Sequence, residues 1–209
     1  MWRIVEAQLR PDIAYAVNFV SQFLEKPLER HWMMVKRILK YLQGTTAYGI
    51  KYRLDGDIPR LTGYSDADFA NDPDTRRSVS GILFKYNGGV ITWASRRQQS
   101  VALSTMEAEY VAASEGAKKA VWLGRLFSKI TPLHKEPVIF IDNASAIKLA
   151  KNPSFHKHSK HIAVRYHFVR ECVETGQLIV EYIPSEKQVA DILTKPIPRV
   201  FSMRNCVIS

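Results

Sequence analysis

Residues 79–95 read VSGILFKYNGGVITWAS. Two runs of apolar and β-branched residues flank Asn87-Gly88-Gly89. An Asn-Gly step between such runs is a strong local hairpin signal, because both residues accept the positive φ of a tight turn. The spacing predicts strands over 79–86 and 89–95. Upstream, LTGYSDA at 61–67 is a third strand. Downstream, Ser104-Thr-Met-Glu107 matches a capping box and opens a long helix over about 105–129. VIFID at 138–142 is a short apolar run ending in an acid, the kind of strand buried inside a sheet. Helices over 143–151 and 160–174, a strand over 178–183 and a helix over 186–195 complete the order βββαβααβα. Three sequential strands followed by strands separated by helices predict an α/β fold, a mixed sheet flanked by helices.

Residues 1–57 read differently. Ile13, Ala16, Val17, Val20 and Leu24 recur at helical spacing after Pro11, which suits a first helical turn. A second helix, about 28–42, carries Leu28, Trp32, Val35, Leu39 and Leu42, and Gly44 stops it. YGIKYR at 48–53 reads as a strand, and the turn-rich DGDIPR at 55–60 marks a boundary. The expected division is a small helical appendage over 1–57, an α/β domain over 58–199 and a short tail over 200–209.

The chain carries 30 Lys+Arg against 20 Asp+Glu, a net charge of +10, which favours a polyanionic partner. Two cysteines, Cys172 and Cys206, exclude a disulfide framework and point to reduced, intracellular thiols. No stretch has the length and apolarity of a membrane span, and MWRIVEAQLRPD lacks the apolar core of a signal peptide. Trp32, Trp93 and Trp122 are expected in the core.

The acids are unevenly spread. Residues 76–106 and 143–170 contain none, while they carry Arg76, Arg77, Arg96, Arg97, Lys157, Lys160, His161 and Arg165, cations able to neutralise phosphates. Asp142 closes a buried strand, where open α/β sheets present ligands, and Asn143 is free to cap the following helix. In an extended segment Tyr64, Asp66 and Asp68 share one face, and two acids on one face repel unless a cation or a donor joins them. A divalent metal is the economical answer; the alternative is that the strand ends at Ser65 and the acids are turn residues. Glu107 has a local task at the third position of the capping box. Glu109 lies about 200° further round the helix, on the face with Met106, Ala113 and Ala117 expected to meet the sheet. A buried carboxylate needs a partner, so Glu109 is the stronger ligand candidate. Ser185-Glu-Lys-Gln188 matches a second capping box, opening the helix that holds Asp191.

GYSDADFA, LSTMEAEYVAAS, FIDNASAI, FHKHSKHIAVRYHFVRE and VADILTKP, in this order, resemble the ribonuclease H domain of copia-type retrotransposon Pol polyproteins. RPDIAYAVNFVSQF and HWMMVKRILKYLQGTTAYGIKY resemble the tail of the same polyprotein's reverse transcriptase, and no Tyr-x-Asp-Asp polymerase motif occurs in the chain. The resemblance implies a ribonuclease H-like mixed five-stranded sheet. It also implies a quartet of Asp66, Glu109, Asp142 and Asp191, with Asp191 resting on the resemblance alone. Its chemistry is hydrolysis of the RNA strand of an RNA–DNA hybrid. The quartet would hold two Mg²⁺ ions about 4 Å apart, with Mn²⁺ able to substitute. The expected partners are the hybrid and the missing reverse-transcriptase domains, without a membrane, inside cytoplasmic virus-like particles. The loop IPSEKQ holds no histidine, so no residue is assigned to product release.

Three other readings stand beside this one. A truncated, non-catalytic nucleic-acid-binding relic would keep the fold without the activity. An integrase-type strand transferase would share the acidic clustering, but the fourth acid argues against it. His156, His158 and His161 could be read as a zinc site, but no cysteine lies near them to complete four ligands.

Overall fold

The computed structural model describes residues 9–52, 60–131, 135–151 and 160–196. Helices α1 (Pro11–Ser21) and α2 (Glu29–Gln43) lead into strands β1 (Thr62–Ala67), β2 (Val79–Tyr86) and β3 (Gly89–Arg97). Helix α3 (Thr105–Ile130), strand β4 (Val138–Ile141), helices α4 (Ala144–Lys151) and α5 (Lys160–Glu174) and strand β5 (Ile179–Tyr182) follow. Two 3₁₀ turns, Ser185–Lys187 and Val189–Leu193, end the described chain. The five strands lie in the order β3-β2-β1-β4-β5, with β1–β2 and β2–β3 antiparallel and β1–β4 and β4–β5 parallel. This is the mixed sheet that the order of elements predicts.

The hairpin turn forms as its residues require. Asn87 and Gly88 have φ of 50° and 73°, the double positive φ of a type I′ turn. One sheet face carries Phe84, Ile139, Ile141 and Val180 against Tyr110, Ala113, Ala117, Ala120 and Leu123 of α3 and Tyr166 and Val169 of α5. Small residues on α3 let it lie close to the strands, where Ala113, Ala117 and Ala120 are buried. The opposite face is covered differently. Ala14 of α1 and Val189, Ile192 and Leu193 of the second 3₁₀ turn pack with Leu83 and Val90 of the hairpin. The amino-terminal helices are therefore seated on this face through α1. Arg10 ties them together, binding Asp12 at 2.7 Å and the Thr45 carbonyl at 3.1 Å, while Tyr41 donates to Asp12 at 2.7 Å.

Several expectations are corrected. The strand over 48–53 does not form: within its described part only Gly49 makes an isolated bridge. Tyr52 instead lies over the hairpin, donating to the Val90 carbonyl at 2.9 Å, and a Cβ at Gly89 would sit 2.2 Å from its ring. Trp32 and Trp122 are about half exposed, each under a lysine, Lys36 and Lys119. Met33 and Leu39 of α2 are exposed as well, since only the other side of that helix meets α1. The helix over 186–195 is replaced by the two 3₁₀ turns, because Gln188 between them is extended (ψ 103°). Its side chain donates to the Ser65 carbonyl of β1 at 3.0 Å and accepts from Ala190 N–H at 3.2 Å. The capping box read at 185–188 therefore does not form.

Candidate active site

Parallel neighbours in a sheet end at the same edge, so the carboxyl ends of β1 and β4 stand side by side. Tyr64 pairs with Phe140, and Asp66 and Asp142 lie two residues beyond that pair on their respective strands. Asn143 accepts from the N–H groups of Ser145 (2.9 Å) and Ala146 (3.1 Å), so it caps α4 and leaves Asp142 without that duty. Asp142 accepts instead from the Ser185 hydroxyl at 2.9 Å.

The third acid arrives on α3. Ser104 accepts from Glu107 N–H at 3.1 Å and Glu107 accepts from Leu103 N–H at 2.9 Å. The reciprocal cap thus reaches one residue further back than the Ser104 backbone that the sequence pattern points to. Helical rotation then turns Glu109 inward, to 8% exposure. Asp66, Glu109 and Asp142 each offer one oxygen, and these oxygens lie within 4.8 Å of one another. One of the Glu109 oxygens, Oε2, is buried and finds no hydrogen-bond partner among the described residues.

The electrostatics follow from burial and like charge. Burial, then Asp66 and Asp142, push the Glu109 carboxyl up to about 9, against a backbone hydrogen bond from Ala67. Asp142 is raised, mainly by burial and also by Asp66, with the Ser185 hydrogen bond opposing. Asp191, buried in the second 3₁₀ turn, is pushed up to about 7, by burial first and also by Asp66. It stands outside the cluster of three but next to Asp66, and pairs with Lys195 Nζ at 2.9 Å. Lys195 is raised by that bond and by the charges of Asp66, Asp191 and Asp142, against burial. A crowded set of carboxylates with a buried, unpartnered oxygen fits a hard divalent cation that takes oxygen donors, such as Mg²⁺ or Mn²⁺.

Asp68 does not join this set. Strand β1 ends at Ala67, and the chain turns so that Asp68 accepts from Val79 N–H and donates its own N–H to the Val79 carbonyl at 3.1 Å. Burial holds its carboxyl up at about 6, opposed by bonds from Val79 and Asn71. The Asp66/Asp68 pairing is thus not made, and the carboxylates that meet Asp66 come instead from α3 and the end of β4.

Among the expected nucleic-acid contacts, Arg96 is exposed and makes no ion pair among the described residues. It follows Ala67 and Ser80 across the sheet in register, about 10 Å from the end of β1. Arg76 is exposed at φ 54° in the loop after β1, and Arg77 is part-buried beside it. Arg97 pairs with Asp72 at 3.0 Å, and Arg165 bridges α5 to α3 through Glu115 (2.5 Å) and Ser114 (3.0 Å). Both are therefore already engaged within the protein. A cleft of about 870 Å³ lies between β3 and α3, lined by Arg96, Lys118, Lys119 and Trp122 among others, and does not include the acids. Lys157 lies outside the described residues, as do the side chains of Lys160 and His161 in the first turn of α5 and the residues His156 and His158 of the zinc reading.

Sequence reasoning missed four residues around the acids: Lys195, Thr194, Ser185 and Gln188. Only the first two left a local signal, lying four and three residues after Asp191 in VADILTK, one turn away.

No protein-family model matches the sequence. The chain is 49% identical over 190 residues to the retrovirus-related Pol polyprotein from transposon TNT 1-94 of Nicotiana tabacum, covering 91% of this chain and 14% of that protein. The chain thus spans about a seventh of the length of that curated relative. Among solved structures, the foamy viral protease-reverse transcriptase in complex with an RNA/DNA hybrid superposes with a TM-score of 0.55 at 15% identity, over 88% of this chain and 24% of that one. LC11-RNase H1 from compost superposes with a TM-score of 0.50 at 15% identity, over 65% of this chain and 92% of that one. Motif order, sheet topology and sequence identity converge: the chain belongs with the copia/Ty1-type retrotransposon Pol polyproteins, as one region of them built on a ribonuclease H-like fold.

Proposed function

We propose that this chain is a divalent-metal-dependent endonuclease that hydrolyses the RNA strand of RNA–DNA hybrids during retrotransposon reverse transcription. The observation that carries this reading is the meeting of Asp66, Glu109 and Asp142, from three separate elements, within 4.8 Å. Asp191 is the fourth member in this proposal, adjacent to Asp66 and anchored by Lys195. Two Mg²⁺ ions, or Mn²⁺ in their place, would be held by these four carboxylates, and such ions when bound lower the pKa of a water and stabilise charge on the leaving oxygen.

The chain's own residues do the positioning. Asp66 is central, because Glu109, Asp142 and Asp191 all feel its charge. Ser185 orients Asp142, and the cap at Ser104 fixes the rotation of α3 that delivers Glu109. Burial of Asp66, Glu109 and Asp191 keeps the local dielectric low, which strengthens the attraction of these carboxylates for a bound divalent cation. Arg96, at the same end of the sheet and without a protein partner among the described residues, is the cation best placed for a backbone phosphate. The remaining Pol domains are the proposed protein partners, and a cytoplasmic virus-like particle the proposed setting.

The test uses the full chain and a hybrid labelled on each strand. Mg²⁺-dependent cutting confined to the RNA supports the proposal, and Asp142→Asn should abolish cutting while hybrid binding persists. Binding without cutting by the unaltered chain in both Mg²⁺ and Mn²⁺ would favour a non-catalytic relic.

A further inference from the structure

We infer that Thr194 is a positioning residue for Asp66, and that Gly81 is the notch that admits it. The inference rests on the reading of Asp66 as a metal ligand and names what fixes that ligand.

Thr194 is fully buried, and its hydroxyl donates to Asp66 Oδ2. The same hydroxyl lies 3.3 Å from the Asp191 carbonyl, a longer contact, and one hydroxyl proton serves one acceptor at a time. Thr194 N–H bonds the Asp191 carbonyl at 3.2 Å, so the residue that grips Asp66 is carried on the turn that holds Asp191. A carboxylate is otherwise free to rotate, and a hydrogen bond to one oxygen fixes the plane in which the rest of the group is presented.

The approach of that turn to the sheet depends on a missing side chain. Gly81 pairs with Asp66 across β1 and β2. A Cβ at position 81 would sit 2.8 Å from the Ala190 carbonyl oxygen, 2.8 Å from the Thr194 methyl and 2.9 Å from Leu193 Cβ. Two of those atoms belong to the turn's backbone or to the first carbon of a fully buried residue, so neither can swing aside. Gln188 bolts the start of the turn to Ser65 at 3.0 Å. Any side chain at 81 would therefore lever the turn away from β1 and take the Thr194 hydroxyl with it.

The experiment titrates Mn²⁺ and Mg²⁺ into the full chain by calorimetry, without nucleic acid, with thermal unfolding in EDTA measured in parallel. Thr194→Val keeps the shape and removes the hydroxyl, and should weaken metal affinity about 10-fold, the scale seen when a group that orients a metal ligand is removed. Thr194→Ser restores the hydroxyl and should bind near the wild-type level. Gly81→Ala should lose affinity at least as far as the valine variant while every acid is intact. Thr194→Ala carries the same expectation should the valine variant not fold. Wild-type affinity in the folded valine or alanine variant overturns the role of Thr194. A loss in the serine variant at least as large as in the valine variant shows that the methyl packing, not the hydroxyl, governs affinity, because valine keeps the methyl that serine lacks, and it also overturns the role. Unchanged affinity in Gly81→Ala removes the notch alone. A wild-type chain that binds neither ion sinks the metal-site reading and this inference together, a result distinct from the other three.

Discussion

Glu109→Gln should flatten the pH dependence of the metal-free fold while abolishing cleavage. Glu109 is buried, one of its oxygens is unpartnered, and burial together with Asp66 and Asp142 raises its carboxyl from 4.5 to about 9. Between those values the folded protein keeps a proton that the unfolded chain has released. The resulting penalty is absent below the unfolded value and grows as pH rises towards the folded one. One such proton makes stability fall by at most about 1.4 kcal/mol per pH unit. For a chain of this length that is a fall in Tm of about 3–6 °C per pH unit. Asp191, held at about 7, adds to the lower part of the window. Glutamine has the same shape and no charge to bury, so the variant should lose the Glu109 share of the slope. Thermal melts in EDTA, followed by far-ultraviolet circular dichroism, measure this directly. Saturating Mg²⁺ should reverse the wild-type slope, since carboxylates bind metal in their deprotonated form. A wild-type Tm in EDTA that is flat or rises across the window would refute the argument. So would a glutamine variant that keeps the whole slope, because the retained proton would then reside elsewhere.

Glu107→Gln should lower stability by about 1 kcal/mol through the weakened cap at Leu103 and Ser104 and leave RNA cleavage intact, as urea denaturation and a turnover assay on one preparation will show. Gln188→Leu strands the Ser65 carbonyl and the Ala190 N–H inside the protein, so a loss of about 2–4 kcal/mol in the same denaturation experiment is expected. Arg96→Ala should weaken hybrid binding and reduce the slope of log affinity against log salt by about 1, whereas Arg97→Ala, whose guanidinium already faces Asp72, should change that slope less.

What could be read in the sequence was what local geometry controls. The Asn87-Gly88 turn needs only two backbone angles. The separation of Glu107 from Glu109 needs only a cap and the helical rotation per residue. The freedom of Asp142 needs only a neighbour, Asn143, that caps better. Misreadings arose where distant atoms claimed a local group. Ser185 and Gln188 have the spacing of a capping box, but their side chains reach Asp142 and Ser65, and the helix that the box should open gives way to 3₁₀ turns. Asp68 alternates correctly with Asp66, yet the Val79 N–H draws it into the loop. Trp32 and Trp122 have core composition at helical spacing, but the neighbouring elements cover only the other sides of their helices. Thr194 left only its nearness to Asp191 as a clue, because its partner Asp66 lies at the other end of the domain in sequence.

The seating of α1 beneath the second 3₁₀ turn gives the first helix a stake in an acid near the far end of the chain. Ala14 shares its contacts with Val189, Ile192 and Leu193, the apolar residues around Asp191. A minimal fragment excised at residue 58 would keep all four carboxylates yet strip the wall behind one of them, wetting Leu83 and loosening the lever that Gly81 and Gln188 hold down. The first helix thus serves as a footing for the turn that carries Asp191, and the two cannot be pared apart without cost to the second.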